Sequence, residues 1–261
     1  MPEITSRHHP IVRAFKLAAR GDADVLLDGW HLLHDAADAG ITISTVAITD
    51  TTQDAADLAL LDPLAHTGEI VTVSEAVMDA LSPVRTPSGV VALAQARPAV
   101  LDDLLIPTPA LVLVACDVQD PGNAGAMIRA AEAGGATGVL FTGVSADPWG
   151  WKALRAAMGS TFRLPVVRHA DAMSACGQLR QAGLRLFAAV PYAGVLIDRA
   201  NFGSASAIIL GGEGGGVSPE MLTVADEHVT IPMAAPVESL NVAVAAALLV
   251  YEARRQRTSS G

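Results

Sequence analysis

The feature that most constrains the fold is a series of short apolar segments, separated by helical ones, that begins at residue 111. Leu111–Cys116 is apolar throughout, as is typical of strands buried on both faces of a sheet. Further strands are predicted at residues 138–143, 164–167, 184–189, 206–210 and 229–231, with helices over 124–134, 149–158 and 171–182. This alternation predicts an α/β domain with a mostly parallel sheet covered on both faces.

The first hundred residues predict a smaller α/β unit. Its helices are predicted over residues 10–20, 29–39, 53–61 and 74–81, and its strands over 25–27, 43–49, 69–73 and 89–94. Pro98, Pro107 and Pro109 interrupt the pattern at its end. We therefore predict two domains, residues 1–105 and residues 106–261, the first of ordinary domain size.

Composition excludes several classes of protein. Hydrophobic residues make up 51% of the chain, which excludes a disordered protein. The apolar run Val242–Tyr251 is shorter than the about 20 residues that span a bilayer, and the N-terminus lacks the apolar segment of a secretory signal. Two cysteines provide no disulfide framework, and His31 and His34 have no evident third metal ligand. We expect a cytoplasmic protein with no metal ion and no membrane segment.

The charge distribution bears on a nucleic-acid partner. The net charge of −10 argues against nonspecific binding of nucleic acid through a basic surface. Residues 1–106 contain six Lys or Arg against fifteen Asp or Glu, whereas residues 107–261 contain eleven against twelve. If the acidic first domain binds RNA, the candidate contacts are Arg7, Arg13, Lys16 and Arg85.

Residues 120–129, DPGNAGAMIR, join a predicted buried strand to a helix. Open α/β sheets bind ligands at such junctions, and the free amides of a helix N-terminus favour an anion. Two interpretations fit. Either Asp120 and Asn123 are turn and cap residues and Arg129 is a solvated charge, or Asn123 and Arg129 belong to a ligand site.

Residues 209–220, ILGGEGGGVSPE, place five glycines around one carboxylate, Glu213, directly after an apolar strand. The segment has neither the ending of a P-loop nor the spacing of a dinucleotide fingerprint. Glycine permits positive φ values and close approach of the backbone to a ligand. We therefore interpret this segment as a ligand loop in preference to a plain surface turn.

The C-terminal segment, residues 231–257, contains a third candidate. A short strand ends at Pro232, a turn with Pro236 follows, and Ser239 and Asn241 stand where a long apolar helix begins. Such side chains are preferred at a helix N-cap because they accept an unpaired backbone N–H. This segment alone does not decide whether Ser239 and Asn241 are plain helix caps or belong to a functional site.

Taken in order, three segments resemble the three motifs of the SpoU (TrmH) family of RNA 2′-O-ribose methyltransferases, in the SPOUT superfamily. The segments are DPGNAGAMIRAAEAGG, ILGGEGGGVSPE and IPMAAPVESLNVAVAAALLVYEARRQR. The similarity covers residues 110–257. Residues 1–100 are more loosely similar, through LLDGWHLLHDA and LSPVRTPSGVVAL, to the substrate-binding domain that precedes the catalytic domain in many members.

The resemblance implies an α/β fold in which the C-terminal domain forms a trefoil knot behind a small α/β substrate-binding domain. It also implies that S-adenosylmethionine binds in the knot and that the protein is a homodimer with its sites at the subunit interface. By family position, the cofactor-binding residues are Gly211, Ile231, Met233 and Leu240. The implied catalytic cluster, partly supplied by the partner subunit, is Asn123, Arg129, Glu213, Ser239 and Asn241.

The implied reaction is methylation of a ribose 2′-hydroxyl, with ribosomal RNA preferred as substrate. Because a guanidinium has a pKa above 12, we interpret Arg129 as a phosphate contact that stabilises the developing alkoxide, with Ser239 and Asn241 orienting the hydroxyl. Three alternatives stay open: a transfer RNA 2′-O-methyltransferase, a non-catalytic RNA-binding paralogue, and a Rossmann-type methyltransferase or dehydrogenase. The complete catalytic cluster argues against the paralogue, and the glycine spacing argues against the Rossmann-type enzyme.

Overall fold

The computed structural model describes residues 3–21, 24–50 and 54–258. The chain forms two compact units: the residues up to Arg97 together with Trp149–Arg163, and Pro98–Pro148 together with the chain from Leu164 onward. Residues 149–163 therefore pack in the first unit, although they connect two strands of the second. The domain boundary near residue 105 stays a prediction.

The first unit contains a four-stranded mixed sheet and helices. Its strands are β1 (Val25–Asp28), β2 (Ile43–Ile48), β3 (Glu69–Thr72) and β4 (Val90–Ala94), and its first helices are α1 (Pro10–Arg20), α2 (Trp30–Asp38), α3 (Ala55–Leu64) and α4 (Glu75–Leu81). The sheet order is β1-β4-β2-β3, with β2 parallel to β3 and β4 antiparallel to both of its neighbours. The predicted elements are confirmed to within a few residues. Residue 53, where the third predicted helix begins, lies outside the described residues.

The inserted segment of the first unit forms α6 (Trp151–Ala157) and α7 (Ser160–Arg163), and it contributes to the core. Leu154 and Phe162 are buried in the same apolar cluster as Leu27 and Val90. Trp149 packs against this cluster, with its ring 6.1 Å from that of Phe162. Trp149 therefore anchors the segment that leads into α6 in the core of the first unit.

The second unit is built on a seven-stranded sheet within the described residues. Its strands are β5 (Leu111–Cys116), β6 (Gly138–Thr142), β7 (Val166–His169), β8 (Arg185–Ala189), β9 (Val195–Leu196), β10 (Ser206–Gly211) and β11 (Glu227–Thr230). The order is β7-β6-β5-β10-β8-β11-β9, and each neighbouring pair is parallel. The predicted parallel sheet is confirmed. The sequence pattern missed the two-residue strand β9 and a 3₁₀ helix at Leu101–Leu105.

Helices flank this sheet: α5 (Pro121–Gly134), α8 (Ala172–Gln181), α9 (Pro219–Val224) and α10 (Val242–Thr258). The start of α5 lies three residues before the predicted one. Pro121 occupies the first turn, where a missing N–H is harmless, and Asp120 caps the helix by accepting the Asn123 amide at 2.8 Å. Asn123 therefore belongs to the first turn of α5 and not to the loop.

The start of α10 decides between the two predicted caps. Asn241 Oδ1 accepts the backbone amides of Ala243 at 2.9 Å and Val244 at 3.3 Å, so Asn241 is the N-cap and Ser239 precedes the helix. The helix packs tightly on α5: a Cβ placed on Gly134 would lie 2.2 Å from Val250 Cγ1. Glycine at 134 is therefore needed for these helices to approach.

The last turns of α10 are held by one arginine. Arg257 donates to the carbonyls of Pro109 (2.7 Å), Ala110 (2.9 Å), Phe202 (2.9 Å) and Ser204 (2.7 Å). Partial burial lowers the pKa of this guanidinium. These bonds fasten the C-terminal helix to the segments that lead into β5 and β10.

Candidate active site

A chain of side-chain hydrogen bonds joins three predicted catalytic residues. Asn241 Nδ2 donates to Asn123 Oδ1 at 2.9 Å, and Asn123 Nδ2 donates to Glu213 Oε1 at 2.7 Å. These pairs lie 118 and 90 positions apart in the chain, so the fold brings them together. We call Asn123, Glu213 and Asn241 the amide–carboxylate cluster.

The sheet topology explains why these residues meet. Strands β5 and β10 are neighbours, and Cys116 is paired with Gly211 at their carboxyl ends. The turn into α5 and the glycine loop therefore leave the same edge of the sheet, where parallel α/β folds bind ligands. Asn241 is oriented by its capping bonds, because its carbonyl faces the helix amides and its Nδ2 therefore faces Asn123.

Glu213 is the charged end of the cluster. Its Oε2 accepts the Gln119 amide at 3.1 Å, and its Oε1 accepts the Asp120 amide at 3.4 Å. Partial burial raises the pKa of Glu213, but the hydrogen bonds from Asn123 and from backbone amides outweigh it and hold the pKa below the ordinary 4.5. The cluster therefore contains a carboxylate at neutral pH.

The cluster retains capacity to bind a ligand. Both lone pairs of Asn241 Oδ1 accept backbone amides, but each Asn side chain uses only one of its two N–H groups within the cluster. Asn123 and Asn241 can therefore each donate one further hydrogen bond. A ligand oxygen that accepts both bonds would keep its own O–H free.

A cavity of about 590 Å³, within the usual range for ligand pockets, lies beside the cluster. Glu213 and Asn241 both line it. The other walls come from the segments after β8, β10 and β11, which include Ala189–Pro191, Gly211–Val217, Ile231, Met233, Ser239 and Leu240. The structure thus gathers all four predicted cofactor-binding residues and three of the five predicted catalytic residues around one cavity.

The glycines between β10 and α9 have different roles. A Cβ on Gly211 would lie 1.8 Å from the Gly216 carbonyl carbon, and one on Gly212 would lie 2.0 Å from a backbone oxygen. Gly214 and Gly216 have φ values of +86° and +65°. The turn itself therefore requires these four, whereas Gly215 faces open space. The loop lines the cavity as predicted, but its glycines are explained mainly by the turn.

Arg129 lies outside the hydrogen-bonded cluster. It is exposed on α5, six residues after Asn123, which corresponds to about 9 Å along the helix axis. It has no hydrogen bond or ion pair with any described residue. Ser239 lines the cavity with an exposed side chain, and no described hydrogen bond joins it to the cluster.

Sequence reasoning missed one wall of the cavity. Ala189, Val190 and Pro191 line it at the carboxyl end of β8, which is the neighbour of β10. The strand was predicted, and the rule that ligands bind at carboxyl ends applies to it. Its position beside β10 was not evident, because the sequence pattern does not establish the order of strands in a sheet.

The described residues show no group of three His, Cys, Asp or Glu side chains that could hold a metal ion. His31 lies 3.3 Å from Asp35, and His34 lies 2.8 Å from Asp57. Both histidines therefore have carboxylate partners within the first unit. No described helix combines the length and the apolar character needed to cross a membrane.

Comparison with known families identifies the protein family of this chain. The SpoU rRNA Methylase family matches residues 110–251, and the MRM3-like substrate binding domain matches residues 20–92. The chain belongs to the SpoU rRNA methylase family. The predicted family is confirmed, as is the α/β catalytic domain preceded by a substrate-binding domain. This SpoU protein is therefore not a Rossmann-type enzyme.

Relatives of this SpoU methylase match it over most of their length. The 23S rRNA (guanosine(2553)-2′-O)-methyltransferase RlmP of Bacillus subtilis (strain 168) is 33% identical over 230 residues, or 88% of each chain. An AdoMet-bound rRNA methyltransferase from Sinorhizobium meliloti aligns over 97% of both chains, with 27% identity and a TM-score of 0.86. AviRb from Streptomyces viridochromogenes, in complex with AdoMet, covers 97% of this chain and 99% of its own, with 26% identity and a TM-score of 0.85.

These comparisons confirm the predicted class of enzyme, an RNA 2′-O-ribose methyltransferase that uses S-adenosylmethionine. The cavity suits that cofactor. Ile231, Met233 and Leu240 provide apolar walls of the kind that an adenine ring packs against, and the Glu213 carboxylate provides a negative charge that would attract a sulfonium. Gly215 leaves room beside the loop.

Proposed function

We propose that this SpoU methyltransferase methylates a ribose 2′-hydroxyl of ribosomal RNA, with catalysis at the amide–carboxylate cluster. The observation that carries the proposal is the hydrogen-bond chain from Asn241 through Asn123 to Glu213, beside a cavity of about 590 Å³. The names of the Bacillus subtilis and Sinorhizobium meliloti relatives support ribosomal RNA as the substrate class.

We assign cofactor binding to Gly211, Ile231, Met233 and Leu240, which line the cavity. Gly211 has no Cβ and therefore lets Gly216 approach, so that the Gly216 amide donates to the Gly212 carbonyl and closes the loop. The apolar side chains exclude water from the methyl donor. When bound, S-adenosylmethionine supplies an electrophilic methyl group on a sulfonium.

The amide–carboxylate cluster then orients the ribose. The unused N–H groups of Asn123 and Asn241 donate to the 2′-oxygen, and Ser239, at the cavity wall, supplies a third polar contact. Glu213 holds Asn123 in the orientation that makes this possible. Alignment of this kind contributes on the order of 7–11 kcal/mol in favourable intramolecular reactions. As the 2′-oxygen bonds to the methyl carbon, the bond between that carbon and the sulfonium sulfur would break to leave a neutral thioether, and the hydroxyl proton would pass to solvent water.

Arg129 completes the site from the partner subunit in this proposal. Within one chain it is exposed and has no described partner, which fits a side chain that acts across an interface. A guanidinium stays protonated, so it serves as a bidentate phosphate contact and stabilises the developing alkoxide. Its role is electrostatic and not that of a base.

The surface of α10 supports the homodimer that this arrangement needs. Val244, Leu248 and Tyr251 are 48%, 43% and 51% exposed, and their spacing places them on one face of the helix. A row of exposed apolar side chains marks an interaction surface, and a two-fold dimer would bury this row against itself.

The dimer is tested by Leu248→Asp, with Leu58→Asp as the matched control. Leu58 is 44% exposed on α3, so the two changes place the same charge at equally exposed leucines. Light scattering after gel filtration should show a monomer for Leu248→Asp and a dimer for Leu58→Asp. A dimeric Leu248→Asp protein would refute the use of this face.

The trefoil knot and the cytoplasmic location are further parts of the proposal. The segment of residues 231–241 and the loop of residues 211–217 line one cavity, and α10 packs on α5, which supports passage of the C-terminal segment through a loop of the domain. The cytoplasmic location is supported by the bacterial relatives that are named as rRNA methyltransferases.

The activity is tested by incubating the protein with methyl-labelled S-adenosylmethionine and separately purified ribosomal and transfer RNA, and by mapping the modified nucleotide. We expect 2′-O-methylation of ribosomal RNA that is lost in Asn123→Ala. Methylation of transfer RNA alone would refute the ribosomal substrate. No transfer to any RNA would refute catalysis and favour the RNA-binding paralogue.

Mixing two inactive variants tests the role of Arg129. If Arg129 acts in the partner's site, a dimer of one Arg129→Ala chain and one Asn123→Ala chain has one intact site and one doubly altered site. Random mixing should then restore about a quarter of wild-type activity. A mixture that remains inactive, although mass spectrometry shows mixed dimers, would place Arg129 in its own chain's site.

A further inference from the structure

The N-terminal half of the protein has a sharply divided charge distribution. Residues 21–84 contain twelve Asp or Glu and no Lys or Arg. The cations of residues 1–84 all lie before this stretch, at Arg7, Arg13, Lys16 and Arg20, with Glu3 as the acidic residue among them. A polyanion that approaches this part of the protein is attracted to residues 7–20 and repelled by the stretch that follows.

The structure places three of these cations on one face of α1. Val12, Phe15 and Ala18 are buried in the core of the first unit, so the opposite face of the helix points to solvent. Arg13, Lys16 and Arg20 are exposed, at positions i, i+3 and i+7. Over the about 10 Å from Arg13 to Arg20, α1 therefore presents a row of positive side chains, which we call the α1 basic face.

The charge of this face is not neutralised within the described residues. Among the residues that the structure describes, no carboxylate lies within ion-pair distance of Arg13, Lys16 or Arg20. Arg7, just before the helix, donates its Nε to the backbone carbonyl of Ala76 at 2.8 Å, so it is fixed by a neutral partner and keeps its charge.

Several other arginines of the chain form ion pairs. Carboxylate partners lie within 4 Å of Arg163, Arg168, Arg180, Arg185 and Arg255. An arginine or lysine that stabilises the fold through an ion pair has such a partner. The unpaired cations of α1 are therefore available to a ligand.

We propose that the α1 basic face, together with Arg7, binds the phosphate backbone of the RNA substrate. This inference rests on the proposed function and adds the surface by which the first unit contacts RNA. Binding of phosphates by Lys and Arg is independent of base sequence, so the face contributes affinity and orientation, whereas the choice of nucleotide is made elsewhere. It also explains how a protein of net charge −10 binds RNA, because three exposed cations without a described carboxylate partner lie together on one helix.

The test compares full-length wild-type protein with the triple variant Arg13→Gln, Lys16→Gln, Arg20→Gln. Glutamine forms helices about as well as lysine and arginine, so α1 should be retained, which circular dichroism checks. Affinity for a ribosomal RNA substrate is measured from about 50 to 200 mM salt. Loss of three phosphate contacts should reduce the magnitude of the slope of log K against log salt by about 2 for single strands, or nearly 3 for duplex. Across this range, salt should then weaken binding of the variant about 20-fold less for single strands, or about 40-fold less for duplex, than it weakens binding of the wild type.

Two controls separate the effect of position from that of net charge. The variant Arg13→Lys, Arg20→Lys keeps the charge and should retain the wild-type slope. The variant Arg168→Gln, Arg180→Gln, Arg185→Gln removes three exposed cations from the second unit and should also retain it. A triple α1 variant with the wild-type slope, or a second-unit variant with an equal loss, would overturn the proposal.

Failure of this inference is distinguishable from failure of the proposed function. If the α1 basic face only docks RNA, the triple variant should show a raised KM for RNA and an unchanged kcat with saturating RNA and S-adenosylmethionine. If the wild-type protein methylates RNA and the triple variant has an unchanged KM, the docking surface is wrong and the methyltransferase assignment stands.

Discussion

Glu213→Gln is the substitution whose effect can be worked out most fully from the structure. The Glu213 carboxylate accepts three hydrogen bonds, from the Gln119 and Asp120 amides and from Asn123 Nδ2. A glutamine side chain fits the same space but has one oxygen and one NH₂ group. In either orientation its NH₂ group faces at least one of these donors, so at least one bond is lost.

The magnitude follows from this count. Hydrogen bonds to a charged group are worth about 1.5–3 kcal/mol and those between neutral groups about 0.5–1.5 kcal/mol, so one bond disappears and the remaining bonds weaken. Because Glu213 is exposed, water replaces part of the loss, and we expect the free energy of unfolding to fall by about 1–2 kcal/mol. The effect on catalysis should be larger in proportion, because Asn123 loses its fixed orientation; we expect kcat/KM to fall on the order of a hundredfold.

Urea unfolding and single-turnover methyl transfer measure the two effects, with Glu220→Gln as the control. Glu220 is an exposed carboxylate at the start of α9, so it undergoes the same chemical change outside the cluster. Its variant should be within about 0.5 kcal/mol of wild type and fully active. If Glu213→Gln behaves like Glu220→Gln in both assays, the cluster does not position the reacting hydroxyl and the reasoning is refuted.

Three further predictions concern stability. Arg257→Lys should lower the free energy of unfolding by about 2–4 kcal/mol, because one ammonium cannot reach all four carbonyls. Arg255→Lys on the same helix should lower it by less than about 0.5 kcal/mol, and equal urea midpoints for the two variants would contradict the prediction. Gly211→Ala should lower the melting temperature and weaken S-adenosylmethionine binding at least tenfold, because the new Cβ would clash with the backbone of Gly216, while Gly215→Ala should leave the melting temperature unchanged. Calorimetry measures both quantities, and a stable Gly211→Ala protein that binds the cofactor normally would refute the close contact. The pKa of Glu213 in the folded protein lies below 4.5, so the contribution of this carboxylate to stability is present above pH 4.5 and is lost as the pH falls through the folded pKa. The stability difference between wild type and Glu213→Gln should therefore shrink on acidification. A difference that stays constant from pH 7 down to pH 3 would contradict this prediction.

The sheet could be predicted from the sequence because its physical cause is local. Leu111–Cys116 is apolar at each position, and each of its residues is buried in the structure. The pattern within one strand does not record its neighbours, so the adjacency of β8 and β10, and with it one wall of the cavity, was not predictable. The packing of Leu154 and Phe162 in the first unit was not predictable for the same reason, since it depends on contacts with residues far away in the chain.

The candidate site was predictable in its residues but only partly in its geometry. The motif order identified Asn123, Glu213 and Asn241 through family resemblance, and the structure joins them. The choice between Ser239 and Asn241 as the cap of α10 depended on the course of the backbone, because either side chain can accept an amide. Arg129 illustrates the limit of spacing arguments, since a position on a helix shows where a side chain starts but not what it contacts.

The double use of Asn241 has a thermodynamic consequence. The same side chain accepts the Ala243 and Val244 amides and donates to Asn123, so ordering of the ligand site and formation of the first turn of α10 are linked equilibria. A ligand that binds only the ordered state must stabilise that turn, and by reciprocity fraying of the turn must lower the affinity for the ligand. Hydrogen exchange at the Ala243 and Val244 amides should therefore slow when S-adenosylmethionine or RNA binds, which makes the start of α10 a built-in reporter of occupancy.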